Sequence, residues 1–252
     1  MSLKDKVVII TGGSKGIGKA TAVLFADEGA KVVITGRNED DLKDTVSKSS
    51  GEIEYLLSDV SKEEDCKSSV EHTVNKYGKV DILFNNAGIA SLGATHETSV
   101  DDWSRVFDIN VKGSFMMAKE VIPHMIENGG GAIINNASIL GLKAVPGSSA
   151  YNSSKGAIVQ FTRSMALEYG DKGIRVNCIC PGAIDTPMLD GFLEAAPEFK
   201  DFLIQTQPVS QHLNRFGKPE EIAYAIKFLS DIDNVGFMSG TMLSVDGGWI
   251  AN

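Results

Sequence analysis

Tyr151 and Lys155 stand four residues apart in a stretch that reads as a helix, so their side chains share one face. A free phenol titrates near about 10, which makes it a poor acid–base group at neutral pH. A neighbouring ammonium favours the phenolate and brings the group toward the working range. Ser138 follows a run that reads as a strand, where its hydroxyl would donate a hydrogen bond to an oxygen developing negative charge. Asn110 precedes a helix near the end of another strand. The chemistry that calls for this set is protonation of a carbonyl oxygen as a hydride reaches its carbon. Tyrosine and lysine at this spacing also occur by chance, so the pair gains weight only if the fold brings Ser138 and a hydride donor beside it.

A site for the donor lies near the start of the chain. The run Thr11-Gly12-Gly13-Ser14-Lys15-Gly16-Ile17-Gly18 follows a β-branched segment and opens an amphipathic one. Glycines in a strand–turn–helix allow a tight turn and close approach to a pyrophosphate, whose charge sits over the free N–H groups of the helix. No G-K-S or G-K-T follows, which excludes a nucleotide-triphosphate loop. The spacing G-x-x-x-G-x-G also departs from the common dinucleotide fingerprint. At the end of the second strand stand Gly36 and Arg37, in place of the carboxylate that would bind a ribose 2′-hydroxyl. A guanidinium matches a 2′-phosphate, and Lys15 would reach the same group, so the expected cofactor is NADP(H). Glu39, Asp40 and Asp41 nearby belong to the first turn of a helix and need no cofactor role.

These residues must be placed by the elements between them. Strands are expected at Lys6–Ile10, Lys31–Thr35, Ile53–Leu57, Val80–Phe84, Ala132–Asn135, Ile174–Ile179 and Met242–Val245. Helices are expected at Gly16–Asp27, Glu39–Ser50, Val111–Glu127, Tyr151–Tyr169 and Pro219–Ser230, with another capped by Ser61 and entered by Glu64. Apolar strands alternating with helices of this length belong in a mostly parallel, seven-stranded sheet covered on both faces. The expected architecture is one doubly wound α/β domain spanning 1–252. Residues 186–215 break the rhythm with Phe192, Leu193, Phe199, Phe202 and Leu203 among acids and prolines. They are expected to form one or two short helices outside the sheet, acting as a substrate lid or as a packing excursion.

Composition narrows the class. With 252 residues, the chain can bury about 70% of its unfolded surface and needs no staple. The net charge of −9, with lysines scattered singly, argues against nucleic acid and anionic membranes as partners. No apolar run reaches membrane-spanning length, and from the polar start no signal peptide is expected. Cys178 and Cys180 share a strand face as buried thiols, and the expected compartment is the cytoplasm. The four histidines show no pair at ligand spacing, so no catalytic metal is expected.

Taken together, the motifs resemble the short-chain dehydrogenase/reductase family. TGGSKGIG at Thr11 to Gly18, DV at Asp59-Val60, NNAG at Asn85 to Gly88, Asn110, Ser138, YNSSK at Tyr151 to Lys155 and PG at Pro181-Gly182 follow the family's order over residues 5–250. The resemblance implies a Rossmann-type fold and an NADP-dependent oxidoreductase that interconverts ketones and secondary alcohols. It implies that Tyr151 is the acid/base, that Lys155 lowers its pKa and holds the nicotinamide ribose, that Ser138 binds the substrate oxygen, and that Asn110 anchors a proton relay. For the cofactor it implies Gly12, Ser14, Lys15, Gly16, Ile17, Gly18 and Arg37, with Asp59 and Val60 near the adenine and Tyr151 and Lys155 also in contact with it. Asn86, Ala87 and Gly88 would line its middle, and Pro181, Gly182, Ile184 and Thr186 its nicotinamide side.

Where the family often has two serines, the first is Ala137, but Ser138 keeps the usual 13-residue interval to Tyr151. The resemblance is strongest to bacterial NADP-dependent secondary-alcohol dehydrogenases, with 3-oxoacyl-[acyl-carrier-protein] reductases as the alternative. The latter would call for basic residues at the pocket mouth, where Arg215 and Lys218 face Glu194, Glu198 and Asp201. A non-enzymatic dinucleotide-binding redox sensor would have no need of Ser138, Tyr151 and Lys155 together. The resemblance also implies a homotetramer built through Val111–Glu127, Tyr151–Tyr169 and the C-terminal strand, and the hydrophobic tail of Trp249, Ile250, Ala251 and Asn252 suits a subunit contact. A structural Mg2+ near Asn252 and a metal-free terminus are both compatible with it.

Overall fold

Short β-branched runs become strands because their side chains meet packed helices on both sides, and the sheet they form is parallel throughout. In the computed structural model, which describes residues 3–251, these strands are Val7–Thr11 (β1), Lys31–Gly36 (β2), Glu52–Leu57 (β3), Ile82–Asn85 (β4), Gly131–Asn136 (β5), Ile174–Pro181 (β6) and Met242–Val245 (β7). Their order is β3-β2-β1-β4-β5-β6-β7. The chain reverses direction across the sheet between β1 and β4, and the crevice beyond their C-terminal ends is where open sheets of this kind bind ligands.

One face is packed by Gly16–Asp27 (α1), Glu39–Ser47 (α2) and Pro219–Ser230 (α10), through Phe25, Leu42, Ile222, Ile226 and Leu229. The other is packed by Glu63–Tyr77 (α3), Gly113–Glu127 (α5) and Ser149–Tyr169 (α6), through Val70, Met116, Met117, Met125 and Met165. The methionines of α5 are therefore core. Cys178 and Cys180 are buried on β6 with their sulfurs 3.9 Å apart.

Three local features differ from expectation. Ser61 does not cap α3: its hydroxyl donates to Asp59 Oδ1 at 2.7 Å, while Asp65 takes the Asp59 N–H and the helix begins after Lys62. The approach to α5 is a separate helix, Val100–Phe107 (α4), capped by Ser99, followed by a wide turn at Asp108–Lys112 with an i→i+5 pattern. Such a turn adds a residue to the helical ladder and re-aims its side chains, here including Asn110. Between β6 and α10 stand three short helices, Pro187–Ala195 (α7), Phe199–Gln205 (α8) and Pro208–Leu213 (α9), one more than the apolar pattern suggests. No helix among the described residues is long and apolar enough to cross a membrane.

Candidate active site

The glycine turn is a close-packed piece of backbone. Gly12 has φ +64°, and a β-carbon there would lie 2.9 Å from Ala87 Cα. On Gly18 it would lie 2.3 Å from Gly12 O. Gly18 therefore seats α1 against the turn and does not line the cavity, unlike the other residues of the set expected to touch the cofactor. Helix α1 begins without a side-chain cap and without an acid in its first turn, so its free N–H groups and positive end are available to an anion.

From this turn a cavity of about 810 Å³ runs across the C-terminal edge of the sheet. One end is lined by Gly12, Ser14, Lys15, Gly16, Ile17, Arg37, Asp59 and Val60. Arg37 is exposed, while Lys15 pairs with Asp41 at 2.8 Å, so part of its charge is already answered. Burial pushes the Asp59 carboxyl up, but hydrogen bonds from Ser61 and the charges of Arg37 and Lys62 outweigh it and hold the group below its ordinary range. The middle is lined by Asn86, Ala87, Gly88, Pro181, Gly182, Ile184 and Thr186. Thr186 also caps α7 by accepting from Leu189 N at 3.4 Å. A cradle of glycine backbone, an uncapped helix start and cations at one end suit a dinucleotide.

Ser138, Tyr151 and Lys155 line the cavity together. The Ser138 oxygen accepts from Leu140 N at 3.1 Å, and its hydroxyl hydrogen-bonds the Tyr151 phenol. Lys155 is buried, donates to Asn136 O at 2.6 Å and lies 5.6 Å from the centre of the Tyr151 ring. Burial pushes the Tyr151 phenol up to about 12, with Ser138 opposing. Burial also pushes the Lys155 ammonium down to about 8. The depression expected of Tyr151 is not reached in this geometry, because the loss of water around the phenol outweighs its neighbours.

Asn110 stands behind the cavity wall. Its Nδ2 donates to Ile89 O and to Ser154 Oγ, both at 3.0 Å, and its Oδ1 accepts from Ile89 N at 2.8 Å. It thus clamps the segment after β4 onto α6. A β-carbon on Gly88 would lie 3.2 Å from Asn110 Oδ1 and 3.6 Å from Lys155 Nζ, so only this small residue separates the two.

The other end of the cavity is apolar. Leu92, Leu140, Val145, Met188, Phe192, Phe199, Phe202, Leu203 and Trp249 line it, with Phe199 meeting Phe192 and Phe202 edge-on at 5.7 and 6.2 Å between ring centres. Trp249, expected at a subunit contact, is half-buried here, whereas exposed His96 is not part of the wall. Gln207 escaped sequence reasoning. It is buried, accepts from Ala183 N at 3.2 Å and donates to Leu203 O at 2.8 Å, tying α8 to the end of β6. Arg215 is held by Glu221 through two bonds of 2.8 and 2.9 Å, and neither it nor Lys218 lines the cavity. The candidate Mg2+ residue Asn252 lies outside the described residues.

A family model described as enoyl-(acyl carrier protein) reductase matches residues 12–250. An uncharacterized oxidoreductase of Thermotoga maritima is 41% identical over 251 residues, covering 98% of each chain. Among solved structures, levodione reductase superposes with a TM-score of 0.92 at 34% identity and 98% coverage of both chains. The 3-ketoacyl-(acyl-carrier-protein) reductase of Brucella melitensis, solved with NADH, reaches 0.90 at 34% identity, covering 98% of this chain and 99% of its own.

Proposed function

Because the chain belongs to the short-chain dehydrogenase/reductase family of oxidoreductases, which transfer hydride between NAD(P)H and a carbonyl, we propose that it reduces ketones bearing a bulky apolar group, using NADPH. The observation that carries this reading is the cavity itself: its glycine-lined end, where Arg37 stands exposed, and its uncharged aromatic end meet at Ser138, Tyr151 and Lys155. A reduced nicotinamide bound beside them supplies the hydride. Ser138 and Tyr151 hold the carbonyl oxygen, and the Tyr151 hydroxyl gives it a proton. The Lys155 ammonium faces the phenolate left behind, and Asn110 keeps the neighbouring backbone in place for a relay that restores the proton.

Residues 186–215 form the lid over the substrate in this reading, with Gln207 as its anchor to β6. Replacing Gln207 by leucine leaves Ala183 N–H without its partner, so KM for the ketone should rise about tenfold with a smaller change in kcat. Steady-state kinetics check this, and equal loss in both constants would count against an anchoring role. Exposed Phe115 on α5 and Leu167 on α6 support a homotetramer, and three free buried thiols support a cytoplasmic setting.

The reductase of acyl-carrier thioesters is the second reading, favoured by relatives such as the Brucella enzyme. Against it stands the tying of Arg215 to Glu221, which leaves that cation engaged beside a mouth where an acidic carrier would dock. A panel of acetophenone, a 2-alkanone, a cyclic ketone and an acetoacetyl thioester decides the matter by the loss of NADPH absorbance. Higher kcat/KM with the ketones supports the proposal. Activity on the thioester alone would overturn it.

A further inference from the structure

Asn136 ends β5 with its side chain turned toward the segment that follows β4, and four hydrogen bonds through Asn86 and Asn136 form a continuous line across the site. Asn86 Nδ2 donates to Thr11 O at 3.0 Å and to Gly12 O at 2.9 Å. Two carbonyl acceptors require the amino group at that position, which fixes the Asn86 amide and presents its oxygen to Asn136. Asn136 Nδ2 accordingly donates to Asn86 Oδ1 at 2.9 Å. The main-chain carbonyl of the same residue accepts the Lys155 ammonium at 2.6 Å. Asn136 Oδ1 is then left buried without a partner among the described residues. An unpaired buried acceptor is a cost to the fold. The other half of the amide makes the link to Asn86.

We propose that Asn136 is a positioning residue, coupling the seat of the glycine turn on the dinucleotide to the placement of the Lys155 ammonium. The coupling rests on the dinucleotide-dependent reading above, but not on which carbonyl compound is reduced. Its physical basis is short. The Asn86 amide registers the backbone of the turn at Gly12, the Asn136 amide registers Asn86, and the peptide that follows the same α-carbon carries the oxygen that holds Nζ. The titratable groups facing Lys155 are Tyr151 on its own helix and Cys178 and Cys180 on β6. None of them forms the 2.6 Å contact made by the Asn136 carbonyl.

The test uses Asn136→Leu, which keeps the bulk and removes the amide, and Asn136→Ser, which removes both. In the leucine variant one unpaired oxygen, on Asn136, is exchanged for another, on Asn86, so its melting temperature should stay within about 3 °C of wild type. The dissociation constant for NADPH, read by fluorescence, should rise about tenfold in both variants. A hydrogen bond to the charged form favours that form, so loosening the carbonyl lowers the ammonium's pKa. The alkaline limb of kcat/KM should therefore move to lower pH by about half a unit or more.

Wild-type NADPH affinity in a folded variant would overturn the proposal. So would weaker affinity with an unmoved alkaline limb, and so would a collapse of melting temperature in both variants, which would make the link structural glue. If the wild-type protein reduces no ketone on the panel, the substrate reading fails while the NADPH measurement still decides this one.

Discussion

Tyr151→Phe should lower kcat for ketone reduction by about a thousandfold, while NADPH affinity stays near the wild-type value. The substitution removes one oxygen from a ring already held by packing, so the cofactor end of the cavity keeps its walls. What disappears is the proton donor, and Ser138, an aliphatic alcohol far less acidic than a phenol, offers no equivalent acid. The pH dependence follows from where burial sets the two groups. With the phenol near about 12, Tyr151 stays protonated through the neutral range and is ready to donate, so reduction should be sustained there. With the ammonium near about 8, Lys155 loses its charge as pH rises past that value, and the support for a developing phenolate goes with it. Reduction should decline on the alkaline side. The reverse reaction needs the phenol deprotonated, so alcohol oxidation should gain with rising pH before it loses. Undiminished turnover in Tyr151→Phe would mean that the proton comes from elsewhere.

The second large effect is on cofactor choice. Arg37→Ala should weaken NADPH binding by about ten- to a hundredfold and leave NADH binding nearly unchanged. Arg37 is exposed at the end of the cavity where β2 stops at Gly36, and a hydrogen-bonded ion pair to a 2′-phosphate is worth more than a neutral bond. Lys15 adds less, because Asp41 already answers its charge at 2.8 Å. Parallel titrations with the two cofactors check this. Equal losses would assign Arg37 to the fold, and tighter NADH binding in the wild-type protein would reverse the expected preference.

Much of the scaffold was legible because period and punctuation report local physics. The run VVII and the VVI centre of KVVIT are apolar on both faces and read at once as strands of a covered parallel sheet, and the glycines after β1 announce a close-packed turn. Strand ends were less legible: β6 continues to Pro181, since pairing with β7 carries it past the apolar run. The i→i+5 turn around Asn110 leaves no mark in hydrophobic spacing, because its residues suit an ordinary helix equally well.

Within the site, residue types at fixed offsets pointed to Ser138, Tyr151 and Lys155. Contacts made only in space did not show. Gln207 reads as one polar residue in a polar stretch, yet it is buried between Ala183 and Leu203. Asn136 stands one residue past the expected end of a strand, and only the packed sheet sets its amide against Asn86. The phenol's shift was missed for the same reason: the spacing of Tyr151 and Lys155 reveals the neighbour but not the burial that dominates both groups.

The most direct test of the account follows the hydride. NADPH carrying deuterium at the transferable position of its nicotinamide is incubated with the protein and acetophenone, and the alcohol is analysed by mass spectrometry. The account predicts alcohol with deuterium on its carbinol carbon, formed by the wild-type protein and lost with Tyr151→Phe. Consumption of NADPH without deuterium in the alcohol, or no alcohol from any ketone on the panel, would contradict it.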